Sequence, residues 1–526
     1  MHRLPNALLA ILLATSAFLH VLPATAQEKS SPWPTKEWAT SSPEEQGMSS
    51  ERLARLVEFG GSNDMDSLLV TRHGRIVLEA TYAPFRAGLK HRINSATKAV
   101  VSTLVAMAIR DGRLDGTDRR VVDFFADRTI ANLDDAKKAI TIRHLLDMTS
   151  GLDWIEGLSG VPWSFFAMER SPDWQQFVLD RTMAAAPGTV FEYDSGNSHL
   201  LSAILTKVTG KSALDYARET LFGPLGIDDV LWRSDPQGIS GGGAGLYMHP
   251  RDMAKIGYLY LRGGVWERKQ ILPASWIEGV RKANVDMRER WAQELRYGSQ
   301  FWVMPDRDAY FAVGYDRQLI VVMPKLDIVA VMTGSARFPT ANGMPTRPRY
   351  GFAALVDQLA GAVTGDAPLA ADPAATAALA QKVKAATIEQ PAPASEQAAM
   401  AKTISGKTWR MDPNDVRITS ITLHLDGAEP SFEYEVAGGP GGPLPGRFGG
   451  PIGFDGHRRV GGRMRYGPSA ARGAWSADGA SLLLEVQTLG NDDVARVTFA
   501  FADKAVEVTY EAAVGFKTIL KGRTDN

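Results

Sequence analysis

Ser95 and Lys98, in the stretch RINSATKAVV, are spaced for acid–base chemistry. Two side chains three residues apart on a helix share a face. The lysine opens an apolar run, AVVSTLVAMAI, with Val100, Leu104 and Ala108 nearby. Burial on such a face disfavours an ammonium and makes the neutral amine accessible as a base. The serine stands at the start of the same predicted helix, about 95–111. Unpaired N–H groups and the helix dipole favour negative charge there. Taken alone, the pair has a second reading: a serine N-cap and a lysine that snorkels to solvent. Ser95 is the one serine of the chain with a lysine three positions on.

Two further stretches supply partners. Tyr193, in VFEYDSGNSHLLSAIL, follows a β-like run and precedes a helix, so it is expected on a loop. A phenol beside a lysine can be held partly as phenolate and shuttle protons. Tyr297-Gly298-Ser299 has the same Tyr-x-Ser spelling but lies in a strand pattern and is assigned to structure. In YFAVGYDRQLIVVMP, Gly314 interrupts a β-favourable run. Such a glycine marks a bulge or a close backbone approach. In the second case the N–H groups of Tyr315 and Ser95 would form an oxyanion pair.

These residues must be held by a larger frame. A helix over 45–60, capped by Ser49 or Ser50, precedes a hairpin at 67–82 that turns at His73-Gly74. Helices follow at 141–151, 196–209, 212–220 and 251–262, the last opened by Pro250. The segment 297–333 reads as strands and 350–364 as a helix. This order implies an α/β unit, a helical region packed on an antiparallel sheet built from both ends of the segment. Fourteen of the 35 residues over 366–400 are alanine, and PAPAS closes the stretch. It reads as an Ala/Pro-rich linker, partly helical. From 401 to 526, ITSITLHL, FEYEV, SLLLEVQTL, VARVTFAF and AVEVTYEA alternate apolar and polar positions. They predict a small all-β antiparallel domain, sandwich or barrel, with 438–453 as a loop.

The bulk composition removes other classes. The chain has 526 residues, a formal net charge of −1 and no cysteine. Nucleic-acid binding is not indicated, and disulfides, thiolate nucleophiles and Cys-ligated zinc are excluded. The nine histidines are scattered, and no metal site or cofactor motif is expected. Residues 1–26 read as a signal peptide: Arg3, an apolar run, then Ala24-Thr25-Ala26. Export to the periplasm or medium, without stable membrane insertion, is the expectation. The mature unit would start at Gln27, and its first, α/β portion would span 27–365. The sequence leaves the oligomeric state open.

Ser95-Ala96-Thr97-Lys98, Tyr193-Asp194-Ser195 and Ala312-Val313-Gly314, in this order, resemble the motifs of penicillin-recognising serine hydrolases. The resemblance is to the class C β-lactamase-like group, and LLDMTSGLDW (145–154) and GGAGLYMHPRDMAKIGYLYLRGG (242–264) extend it. It covers about residues 45–365 and implies an α/β sandwich with an antiparallel sheet. It implies Ser95 as the acyl-accepting nucleophile, Lys98 and Tyr193 as general base and acid, and Tyr315 as an oxyanion donor. Ser195, Asn197 and Gly314 are then expected beside the substrate. Two positions depart from the group. The third motif commonly begins with lysine or histidine, and here with Ala312, which argues against strong penicillinase or carboxypeptidase activity. The second often ends in asparagine, and here in Ser195; Tyr193-x-Ser195-x-Asn197 looks more like the esterase and 6-aminohexanoate-dimer hydrolase branch. The substrate expected is a small-molecule ester or amide. The aromatic segment 153–174 falls between the first two motifs, so Trp154, Trp163 or Phe165 would wall the pocket.

Overall fold

The computed structural model describes residues 33–156, 162–283, 285–287, 294–338, 351–438, 445–491, 494–513 and 515–525. The expected signal stretch lies outside these residues. Among the described residues, no helix is long and apolar enough to cross a membrane.

Helix α1 (Ser50–Ser62) is capped by Ser49, whose hydroxyl accepts from the Arg52 N–H. The hairpin follows as β1 (Met65–Arg72) and β2 (Arg75–Thr81). The remaining strands of this sheet are β3 (Val285–Asp286), β4 (Arg296–Gly298), β5 (Phe301–Met304), β6 (Ala309–Gly314), β7 (Gln318–Met323) and β8 (Ile328–Gly334). They form one antiparallel sheet in the order β2-β1-β8-β7-β6-β5-β4-β3. Both chain ends of the segment therefore meet at β1 and β8, paired from Met65↔Gly334 to Arg72↔Ile328. Every residue of β1, β7 and β8 is buried. Successive side chains point to opposite faces, so each strand feeds two apolar layers. Leu69, Ile320 and Val331 join the layer beneath helix α2 (Thr97–Arg110) and helix α4 (Pro250–Leu261). Leu68, Val321 and Met332 join the opposite layer, with α1 and helix α5 (Phe352–Ala362). Helix α3 (Ser195–Thr209) packs on α2.

The alanine-rich stretch is more than a spacer. Pro373–Ala386 forms helix α6, capped by Asp372, and packs on α1 through buried Leu379. Alanine is the best helix former, and its small face allows close helix contact.

The C-terminal strands are β9 (Thr408–Met411), β10 (Ile418–His424), β11 (Ser431–Val436), β12 (Gly446–Pro451), β13 (Arg459–Gly461), β14 (Ser469–Trp475), β15 (Ser481–Thr488), β16 (Val494–Ala502), β17 (Ala505–Ala512) and β18 (Lys517–Arg523). They form one antiparallel sheet in the order β12-β11-β10-β9-β18-β17-β16-β15-β14-β13. Gly449 of β12 exchanges two backbone hydrogen bonds with Arg463, just beyond β13, and so brings the two edges together. The result is barrel-like, which decides between sandwich and barrel. The expectation of a loop over 438–453 is corrected: residues 446–451 are β12. Glycine is needed there because a Cβ on Gly449 would lie 2.2 Å from the Phe432 carbonyl.

The barrel meets the α/β unit at a polar seam. Arg92 N–H donates to the Gly490 carbonyl at 2.7 Å. Gln487 Nε2 donates to Ser335 Oγ at 3.0 Å, and Tyr247 Oη to Asn491 Oδ1 at 3.2 Å.

Candidate active site

The nucleophile segment is built on a sharp entry to α2. Asn94 has φ +46°, in the left-handed region that asparagine tolerates better than most residues. Its Nδ2 donates to the Tyr315 carbonyl at 3.0 Å. Residues Asn94–Ala96 form a 3-10 turn, and the α-helix starts at Thr97, later than the sequence pattern predicts. Ser95 thus stands on the turn, half-buried, while Lys98 is in the first helical turn and 1% exposed.

Lys98 Nζ lies 2.9 Å from Ser95 Oγ, 2.8 Å from Ser195 Oγ and 2.8 Å from the Gly243 carbonyl. Three acceptors match the three donors of an ammonium. Burial pulls the lysine pKa down to about 8, although the charges of Glu156 and Asp194 oppose this. The neutral amine offers its lone pair, and the Ser95 hydroxyl can then donate to it.

The Tyr193 hydroxyl is hydrogen-bonded to Ser95, and the Tyr193 ring centroid lies 4.7 Å from Lys98 Nζ. Burial, reinforced by the Glu156 charge, pushes the phenol well above its ordinary range. The environment thus opposes the expected partial phenolate and favours the protonated phenol. The loop carrying it is fixed by Asp194, the N-cap of α3, whose Oδ1 accepts from the N–H groups of Gly196 and Asn197. Burial and the Glu156 charge push Asp194 up to about 8, against those two hydrogen bonds. This gives Asp194, unexplained by sequence, a structural duty.

Glu156 is the member that the sequence hides. It is buried, 5% exposed. Its Oε1 accepts from Ser195 Oγ at 2.6 Å, and Oε2 from the Ser195 N–H at 2.9 Å and Trp154 Nε1 at 2.8 Å. The chain Glu156–Ser195–Lys98 fixes the amine from behind. The only signal available was a glutamate two residues after a tryptophan, and no spacing connects it to Ser195. Gly243 was equally hidden, because its contribution is a backbone carbonyl. It must be glycine: a Cβ would lie 2.7 Å from that of Ser195.

Gly314 makes the close approach. A Cβ on it would lie 2.2 Å from the Ile93 carbonyl and 3.2 Å from the Ala96 nitrogen. Strand β6 therefore presses its end, and Tyr315 beyond it, against the nucleophile turn. The Tyr315 side chain is exposed and meets Trp163 edge-on at 5.9 Å. Trp163 stacks on Phe166, which is 45% exposed. Trp163, Phe166 and Tyr315 thus form an aromatic rim.

Four expected substrate-side residues are placed differently. Ser195 and Asn197 are 1% and 0% exposed, because the first turn of α3 is sealed under Glu156 and Met148. Trp154 is buried and serves Glu156, with its ring against Phe177. Phe165 is buried as well.

Gly238–Gly242 spells G-x-S-x-G, but Ser240 is no nucleophile elbow. It is buried, its Oγ accepts from the Leu214 N–H, and its carbonyl accepts from Ser202. Among the described residues, no cluster of three or more His, Asp or Glu side chains could hold a metal ion.

A protein-family model described as Beta-lactamase matches residues 60–355. The 6-aminohexanoate-dimer hydrolase of Paenarthrobacter ureafaciens is 25% identical over 288 residues, which cover 51% of this chain and 72% of that protein. The monacolin J acid methylbutanoyltransferase of Aspergillus terreus is 26% identical over 165 residues, 28% of this chain and 40% of that one. A solved structure from Bacillus anthracis, described as a candidate 6-aminohexanoate-dimer hydrolase, superposes with a TM-score of 0.50 at 20% identity. It covers 62% of this chain and 88% of its own, and shares the fold.

Proposed function

Because the chain belongs to the beta-lactamase family, we propose that it hydrolyses carboxylic esters or small amides through an acyl-Ser95 intermediate. The observation that carries this reading is the buried Lys98 amine 2.9 Å from Ser95 Oγ. With its pKa near 8, roughly one Lys98 in ten is neutral at pH 7. Ser95 Oγ attacks the carbonyl carbon as its proton passes to Nζ. The oxyanion is met by the N–H groups of Ser95 and Tyr315. The neutral Tyr193 hydroxyl gives its proton to the departing alcohol or amine and regains one from the Lys98 ammonium. Water then enters by the reverse route: its proton goes to Lys98, its oxygen bonds to the acyl carbon, and Ser95 leaves with a proton.

The names of two sequence relatives, a hydrolase and a methylbutanoyltransferase, fit a serine that holds an acyl group and passes it on. Ala312 is buried in β6 and brings no cation to the third motif, so a neutral substrate is favoured over a carboxylate-bearing one. The exposed rim of Trp163, Phe166 and Tyr315 favours an apolar or aromatic group on that substrate. Residues 1–26 support export as part of the same reading.

Intact-mass spectrometry after brief mixing with p-nitrophenyl butyrate tests this. The expected result is a butyryl adduct on the peptide carrying Ser95, absent in Ser95→Ala. Ester turnover unchanged in Ser95→Ala would overturn it.

A further inference from the structure

We propose that the lumen of the C-terminal barrel is a second binding site, for a small neutral apolar molecule of the medium-chain alcohol class. The lumen contains a cavity of about 210 Å³. Its deep wall is formed by Ile421, Phe432, Leu484, Val486, Phe499 and Val508. These alternate along their strands with outward residues, as a barrel interior requires. The opposite half of the interior is filled instead: Trp409, Trp475 and Phe501 pack there, and the short helix Ala399–Ile404 adds Ala401 and Ile404. The space thus lies at one end of the barrel, where Ala495, Val497 and Thr488 present small side chains.

Size and polarity limit the occupant. An engineered apolar cavity of about 150 Å³ stays dry and admits benzene. A space of 210 Å³ suits about eight to ten non-hydrogen atoms, by the same scaling. Among the described residues, no charged side chain lines it, so a carboxylate or an ammonium would be buried without a partner there, at a large cost. Tyr434, Tyr510, Thr488 and Asn491 bring hydroxyl and amide groups to the lining, enough to orient one hydroxyl or ester group. Asn491 also accepts from Tyr247 at the seam, so this part of the lining borders the α/β unit. The site stands without the acyl-transfer reading. Ester cleavage nevertheless yields one neutral and one charged product, and the lumen fits only the neutral one.

Isothermal titration of the full chain with 1-octanol tests the site, with octanoate as the charged comparison. The expected result is one octanol per chain and at least tenfold weaker binding of octanoate. Ala495→Phe and Val497→Phe each fill the space and should weaken octanol binding at least tenfold, with the unliganded melting temperature held or raised. Crystals of the unaltered chain under xenon give a readout that needs no variant, with xenon expected between Phe432 and Val508. Octanol binding that persists in both filled variants, octanoate binding as tight as octanol, or a lumen without xenon would each overturn the proposal.

Discussion

Two buried polar clusters flank the same short segment of chain. At one end Asp66 gathers His91, Ser335 and Arg337; at the other, Lys98 joins Ser95 to Ser195, and Tyr193 bonds to Ser95. The first holds the residue types of a Ser-His-Asp triad, yet its connectivity is closed. His91 Nε2 is 2.9 Å from Asp66, and Nδ1 is 2.9 Å from the Arg92 carbonyl, so both ring nitrogens are committed. The Ser335 hydroxyl bonds to the aspartate, not to the histidine. The His91 and Asp66 side chains are fully enclosed. In the second cluster the serine reaches the surface and faces an amine whose pKa has come down to about 8. Chemistry therefore follows from which atom is left able to change partners, not from residue types. The closed cluster holds the barrel seam and the strand before Ser95; the open one can turn over.

The largest test of this contrast is a pair of serine variants. Ser95→Ala should lower kcat/KM on a p-nitrophenyl ester by about a thousandfold or more, the usual cost of removing a nucleophile. Ser335→Ala should leave kcat/KM within about threefold and lower stability by about 1–3 kcal/mol, the cost of leaving its buried partners unmet. Steady-state kinetics and urea unfolding of both proteins measure this. Equal losses of activity would erase the distinction between the clusters.

The next test removes the acid of the closed cluster. Burial pushes Asp66 up, but the hydrogen bond and charge of His91, with Arg337 and Ser335, outweigh it and leave the carboxyl below its ordinary 3.8. A depressed carboxyl stabilises the fold above its unfolded pKa and loses that contribution as pH falls through the folded one. Asp66→Asn should therefore cost about 3 kcal/mol at pH 7 and flatten the acid side of the stability curve. Urea unfolding from pH 3 to 7 reads both. Asp194, pushed up to about 8 by burial and Glu156, has the opposite sign: its contribution weakens stability as pH rises from 3.8 toward 8.

How far the sequence carries depends on how local the cause is. Ser95 and Lys98 were legible because three residues of helix decide their meeting. Tyr193 followed from its order in the chain, and the strand segment 297–333 from period-two alternation. Glu156 was not legible, since its meaning comes from Ser195, 39 positions away, after both are buried. The Gly243 carbonyl has no side-chain signature at all. Ser195 and Asn197 were expected beside the substrate because motif spacing says which residues are near, and not which face of α3 is sealed. In the barrel, strand alternation was visible. The edge pairing of Gly449 with Arg463 was not, because backbone hydrogen bonds between glycine-rich segments leave little trace in composition.

The contrast sharpens further through pH. The free amine of Lys98 is the active form, so kcat/KM should rise with pH and level off above about 8. The Glu156 charge raises the Lys98 pKa; removing it lets the proton leave at lower pH. Glu156→Gln should move the midpoint of the profile to the acid side, while a change at Asp66 should leave it in place. A midpoint that stays put in Glu156→Gln would separate Glu156 from the lysine.

The smallest expected effect concerns the rim. Trp163 meets Tyr315 edge-on and stacks on Phe166, at the rim of the site. Its loss removes apolar surface that a bound substrate would cover, a uniform contribution to ground and transition states. Trp163→Ala should therefore raise KM several-fold for a phenyl or hexanoyl ester and leave kcat nearly unchanged. For an acetyl ester, too short to reach the rim, KM should move little. If kcat fell equally for all three esters, Trp163 would instead be setting the position of Tyr315 and the nucleophile turn, and the rim would belong to the catalytic cluster, not to its surroundings.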